Sequence, residues 1–202
     1  MQSQIRTHHS ARRAVTIAFA LVLGACAGAT TQIDQTWVAP QGQPPQHMQR
    51  VATVFLSENV TMRHSAEDKL ASDLYQTGVR ATPSYTVLGD AIDPKDMDGI
   101  KSRLRDKGFD GMVTMRVIDR EQEIESSPSY DGYWGYYGAY SGYGSYTYTE
   151  TIYRLETTAY DLSTNRAVWS VMTKTTEPDN ARELINDTSK VVTRKFVPAP
   201  QG

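Results

Sequence analysis

Apolar residues recur along this chain with two periods. Val51-Ala52-Thr53-Val54-Phe55-Leu56 is a short run of β-branched and apolar residues and predicts a buried strand. Met62, Ala66, Leu70 and Leu74 then recur every fourth residue, which predicts a helix with Glu67, Asp68 and Lys69 off the apolar line. Thr61 or Ser65 is placed to cap its start, and Gly78 to close it in a left-handed conformation. Ser84-Tyr85-Thr86-Val87-Leu88 predicts a second strand. Asp93-Pro94 predicts a second helix, with Asp as cap and Pro in the first turn. Met97, Ile100 and Leu104 form its stripe, and Lys107-Gly108 ends it.

Val113, Met115 and Val117 alternate within a third strand, Met112 to Ile118, and the alternation fades through Arg120-Glu121-Gln122-Glu123 as if the strand ran past the core into solvent. Tyr148 to Leu162 is a long β pattern, Asp161 to Arg166 a turn, and Ala167 to Met172 the returning strand. After Glu177-Pro178-Asp179-Asn180, the residues Leu184, Ile185, Thr188, Val191, Val192 and Phe196 repeat at helical spacing. The order β-α-β-α-β-β-β-α predicts a single small α/β (α+β) domain over 50–197, with a mixed sheet of about five strands and helices packed on it. Right-handed crossovers make the first three strands parallel, and the hairpin-connected ones antiparallel.

The amino terminus changes the picture. Arg6, Arg12 and Arg13 precede an uncharged run from Ala14 to Ala25, and no acidic residue stands before Cys26. A basic segment, a short apolar run and small residues before a cut site make a signal peptide over 1–25. The run is too short for a permanent span, which needs roughly 20 residues, so an uncleaved anchor with an incidental cysteine is the weaker reading. Leu23-Gly24-Ala25-Cys26 resembles the bacterial lipobox. That resemblance implies lipidation of the Cys26 thiol, cleavage before it and acylation (palmitate among the chains) of the new terminus. In a Gram-negative host, Ala27 is not the aspartate that retains such proteins at the inner membrane, so the implied address is the outer membrane, facing the periplasm.

Cleavage before Cys26 leaves 177 of the 202 residues, with 18 basic and 23 acidic groups once the three signal arginines are gone. A net-acidic chain argues against nucleic acid and against a basic face for anionic lipid, so membrane contact is expected through acyl chains. Cys26 is the only cysteine, which excludes an internal disulfide. Residues 26–49 are small, polar and proline-bearing and are expected to be the lipidated terminus and a flexible tether. Trp37 is the exception within them; docking on the domain edge is the simpler reading, a place among lipid headgroups the other. Residues 198–202 are read as a loose tail.

Glu67-Asp68, Ser84-Tyr85, Gly108-Phe109-Asp110, Thr149-Glu150-Thr151, Glu156-Thr157 and Tyr160-Asp161-Leu162 with Val168-Trp169-Ser170, behind a lipobox and a Tyr/Gly-rich insert, resemble small uncharacterised bacterial lipoproteins built on a domain of unknown function. The resemblance implies a compartment and an α/β fold and lends no catalytic residues. More distantly, the strand order resembles the amino-terminal domain of the Tol translocation protein and the curli-secretion lipoprotein, an analogy of fold alone.

The Tyr/Gly-rich stretch, residues 127–146, is the unusual one. It carries Tyr130, Tyr133, Trp134, Tyr136, Tyr137, Tyr140, Tyr143 and Tyr146. It reads either as a tolerated insertion at a hairpin tip or as an adhesive surface that stacks on sugars, settles at a lipid interface or packs on a partner. No enzyme constellation is expected. His47 and His64 lack a cysteine or histidine at ligand spacing, so no metal site is expected and solvated histidines are the default. Asp96-Met97-Asp98-Gly99 lacks the spacing and the terminal Glu of a calcium loop. Ser57, Asp68 and His64 form a triad only on paper, because no nucleophile elbow surrounds a serine. No glycine loop has phosphate-cradling spacing, and no cofactor is expected. Trp169, between Val168 and Ser170-Val171, is expected in the core. The function this supports is a non-catalytic envelope interaction module contacting a protein or glycan. The alternative is a subunit of an oligomeric lipoprotein ring or a secretion or transport assembly; an envelope hydrolase is disfavoured.

Overall fold

The computed structural model describes residues 29–40, 48–126 and 147–196. They form one mixed sheet of six strands with four helices, an α+β fold. The strands are β1 (Thr30–Val38), β2 (Val51–Phe55), β3 (Ala81–Pro83), β4 (Gly111–Ser126), β5 (Thr147–Asp161) and β6 (Arg166–Thr176). The helices are α1 (Val60–Gln76), α2 (Tyr85–Leu88), α3 (Met97–Asp106) and α4 (Ala181–Phe196). Across the sheet the order is β1-β6-β5-β4-β2-β3. β2 pairs parallel with β3 and β4, while β4, β5, β6 and β1 pair antiparallel.

Each face has its own core. On one, α1 and α4 bury Leu70, Leu74, Leu184, Val192 and Phe196 against Val51, Val113, Leu155, Trp169 and Val171. Trp169 is 2% exposed and meets the Phe196 ring edge-on, centroids 5.5 Å apart, as its place in the pattern predicted. Asp73 ties the two helices: its carboxylate accepts from Lys69 Nζ and from Ser189 Oγ, each at 2.6 Å. On the other face α3 packs Ile100 and Leu104 on Ala52, Val54 and Met112.

Four expectations need correction. First, the sheet has six strands and not five, because Thr30–Val38, read as tether, is β1. It lies along β6, Thr31 Oγ1 meets Thr175 Oγ1 at 2.9 Å, and Ile33 packs on the core. A register shift between Ile33 and Gln35 puts Asp34 in a bulge, which breaks the period-two alternation that marks a strand. Second, Ser84–Leu88 is not a strand. Pairing stops at Pro83, and Tyr85–Leu88 is one helical turn whose Leu88 N–H donates to Ser84 O at 2.8 Å. Third, α1 starts earlier than Thr61 or Ser65 allows: Asn59 is the cap, its Oδ1 accepting from Met62 N–H at 3.0 Å. Fourth, Asp93-Pro94 forms a turn, and α3 begins behind Asp96, whose Oδ1 accepts from Gly99 N–H at 2.9 Å.

Candidate functional site

Two polar or half-exposed features stand out once the fold is built. The first is a buried carboxylate. Glu67 on α1 is 0% exposed, not solvated as its place off the four-residue line implied. Its Oε1 accepts from Phe55 N–H at 3.1 Å and its Oε2 from Tyr85 N–H at 3.0 Å; the Ser84 hydroxyl lies 2.8 and 2.9 Å from the two oxygens. Burial pushes the Glu67 pKa above the usual carboxylate value, opposed by the Tyr85 and Phe55 amides, the Ser84 hydroxyl and the Arg63 charge. Every partner donates to it, so its lone pairs are committed to the fold. It joins the end of β2 to the start of α2 and leaves no oxygen free to act as a base.

Around this node the side chains pair among themselves. His64 Nε2 lies 2.6 Å from Asp90 Oδ1, and its ring stacks on Tyr85 with centroids 3.8 Å apart. Arg63 Nη2 donates to Asp90 Oδ1 and to its carbonyl, both at 3.0 Å. The hydrogen bond from His64, reinforced by Arg63, holds the Asp90 carboxyl below its ordinary value. The Tyr85 hydroxyl donates to Asp68 Oδ1 at 2.8 Å, which raises the phenol pKa. His64 is thus engaged and only partly solvated. The triad does not form: His64 pairs with Asp90, Asp68 with Tyr85, and Ser57 Oγ accepts from Asn59 N–H at 3.1 Å. Among the described residues no three His, Cys, Asp or Glu side chains gather as a metal site. A helical stripe also takes every third position, and Glu67, three before Leu70 and one after Ala66, falls on it; that is the signal of its burial in the sequence.

The second feature is a groove at the outer strand. β1 is an edge of the sheet, and Trp37 and Val38 at its end are 48% and 44% exposed. With Ala39, Pro40, Asp161, Thr164, Arg166 and Val168, Trp37 borders an open groove of about 630 Å³ beside the β5–β6 turn. Trp37 therefore sits on the domain edge, docked by its backbone, with its indole half in solvent. The sequence-predicted residues Cys26, Tyr130, Tyr133, Trp134, Tyr136, Tyr137, Tyr140, Tyr143 and Tyr146 lie outside the described residues, as does His47. No described helix is long and apolar enough to cross a membrane.

No family model matches the chain, and no curated protein does. Solved structures with a similar arrangement include bacterial lipoproteins. The PelC dodecamer from Paraburkholderia phytofirmans is 15% identical, covering 86% of this chain and 99% of its own, with a TM-score of 0.44. Lipoprotein GNA1162 from Neisseria meningitidis is 13% identical over 73% and 97%, with a TM-score of 0.43. A minor lipoprotein from Acinetobacter baumannii is 12% identical over 74% and 92%, with a TM-score of 0.34. Likeness at this level bears on neither function nor assembly.

Proposed function

We propose that this chain is a lipid-anchored envelope protein of the outer membrane, facing the periplasm, that acts by binding and not by catalysis. The observation that carries the reading is Trp37. A large aromatic held half-exposed on an edge strand, beside an open groove, is a contact residue waiting for a partner. Among the described residues the outer side of β1 is unpaired, so an extended protein segment could add to it while the indole packs or stacks. A glycan ring on the indole face is the other chemistry the groove supports. The polar groups nearest to a catalytic arrangement, Glu67, His64 and Asp90, are spent on one another and on the backbone.

The ring alternative requires two different surfaces on each copy to meet. Continuing the sheet from copy to copy would join β1 to β3, and β3 offers three residues ending at Pro83. That edge is poor for pairing, so we rank the ring second. The test is crosslinking in whole cells with mass spectrometry on wild type, Cys26→Ser and Trp37→Ala. Cys26→Ser is expected to abolish lipid attachment and membrane retention, and Trp37→Ala to keep both while losing crosslinked partners. Normal maturation of Cys26→Ser sinks the anchor; an unchanged crosslink profile of Trp37→Ala sinks the groove. Size measurement of the delipidated protein separates a monomer from a ring.

A further inference from the structure

Strand register relates the anchor to the β4–β5 hairpin. Thr30 of β1 pairs with Thr176, Thr176 with Ile152, and Ile152 with Glu121, so these four residues form one row across the sheet. β1 and β5 are both antiparallel to β6 and hence run the same way. The chain entering β1 therefore comes from the side toward which the hairpin projects. Beyond the row each hairpin arm continues for five residues, to Ser126 and Thr147, which remain paired. At the rise of an extended strand this overhang is about 17 Å. Cys26 stands four residues before Thr30, so it lies within about 14 Å of that row. The reach is shorter than the overhang, so a bilayer that holds Cys26 on this side of the fold lies no farther from the row than the ends of the hairpin arms.

The same end of the fold carries exposed apolar residues among charged ones, Glu58, Glu177, Asp179 and Arg182, where the helices begin. β2 and β6 leave the sheet there and α1 and α4 start there. Val60, Val117 and Ile118 are exposed at it. A cavity of about 250 Å³ lies among Phe55, Met62, Val117, Tyr153, Leu184 and Ile185. The arms are acidic, but Asp119 and Glu121 both pair with Arg154, at 3.2 and 2.6 Å, and Glu123 faces Lys174 at 3.9 Å. With Glu58, Glu177 and Asp179 also exposed, this end stays acidic beyond those pairs, so it suits zwitterionic headgroups and is repelled by anionic ones.

We propose that this end of the sheet, from the β4–β5 arms to the first turns of α1 and α4, rests on the zwitterionic bilayer that holds lipidated Cys26, so that the domain stands upright with the Trp37 groove pointing away. The inference rests on the lipid-anchor reading. It makes the hairpin a second contact with lipid beside the acyl chains and fixes which face of the molecule is free.

Because the natural thiol is consumed by lipid, an introduced cysteine takes a fluorophore alone. Lipidated full-length protein is labelled at Thr149→Cys on the hairpin, Thr36→Cys on β1 or Thr164→Cys at the β5–β6 turn, all exposed. Each is reconstituted in phosphatidylethanolamine–phosphatidylcholine vesicles carrying a headgroup nitroxide. Quenching at Thr149 with little at Thr36 and Thr164 is expected. Flotation with the vesicles scores the anchor separately. A chain that floats but shows no quenching at Thr149 overturns the orientation, and so does equal quenching at Thr36, which would mean β1 lies flat on the bilayer. A chain that does not float overturns the lipid-anchor reading.

Discussion

Replacing Glu67 by alanine tests how much one buried acceptor contributes to the fold. The carboxylate receives two backbone N–H groups, from Phe55 and Tyr85, and the Ser84 hydroxyl. The hydroxyl can rotate, but the two amides are fixed by β2 and by the start of α2. Each buried donor left without an acceptor costs about 1–3 kcal/mol. Removing a carboxylate that burial disfavours offsets part of this, so Glu67→Ala is expected to destabilise the domain by about 3 kcal/mol. Urea unfolding followed by circular dichroism measures it. The pH dependence adds a second, sharper expectation. The folded pKa of Glu67 is raised, so the folded state holds its proton over a range where the unfolded chain releases it. Its contribution is fully present below the ordinary glutamate pKa of about 4.3 and declines as pH rises through the folded pKa. The variant lacks this slope. Its deficit is therefore expected to be largest near the acid end of that window and to narrow toward neutrality. A deficit under about 1 kcal/mol would show that the amides find other acceptors. A deficit that widens with pH would show that the carboxylate is stabilised, not penalised, by its site.

Trp169→Ala empties a site 2% exposed beside Phe196 and is expected to cost about 3–5 kcal/mol, read by chemical denaturation. Gly78 has φ +90° after the C-terminus of α1, with open space where a Cβ would stand, so Gly78→Ala isolates backbone strain and is expected to cost about 1–2 kcal/mol by the same measurement. Replacing Ser129–Ser145 by a short Gly/Ser turn is expected to leave the melting temperature close to wild type, since the arms pair as far as Ser126 and Thr147 and closure entropy varies slowly with length. A large loss of stability would mean that the segment packs as part of the domain; a pull-down profile equal to wild type would leave it a tolerated insertion.

Most of the architecture is legible where a segment's own pattern agrees with its surroundings. β2, α1, β4 to β6 and α4 carry apolar patterns long enough to mark them despite the register shifts at Ile118 and between Ala159 and Tyr160, and their parallel and antiparallel pairing follows from connection lengths. The failures have local causes. β1 is hidden because its bulge at Asp34 shifts the alternation, leaving Ile33 and Trp37 looking like isolated residues in a polar stretch. Ser84–Leu88 has strand composition, yet it forms a helical turn because Pro83 ends the pairing and Glu67, 18 residues before Tyr85, takes the Tyr85 amide. A tertiary hydrogen bond overrides propensity there, and no window of sequence around Tyr85 contains it. The site is half legible. Trp37 stands out as an anomaly in its stretch, but its groove needs Arg166 and Val168 from β6 and Asp161 from β5, which only the sheet order brings beside it.

The proposed orientation divides the protein's contacts between the two ends of the sheet, and that division can be measured. β1 runs from the Thr30 row to Val38, about 25 Å at strand rise, so in the upright orientation the Trp37 groove stands roughly that far above the row nearest the anchor. α4 follows the same course: it starts beside the hairpin end and its 16 residues carry Phe196 to Trp169 near the opposite end. The proposed orientation gives one end to lipid and the other to whatever fills the groove. If that holds, Trp37→Ala should remove partner crosslinks while leaving headgroup quenching at a Thr149 label as in wild type. Replacing Ser129–Ser145 by a short turn should leave the quenching at Thr149 in place, because the arms that make the contact stay paired as far as Ser126 and Thr147. A Trp37→Ala protein whose Thr149 label loses its quenching would show that the groove, and not the hairpin, faces the membrane.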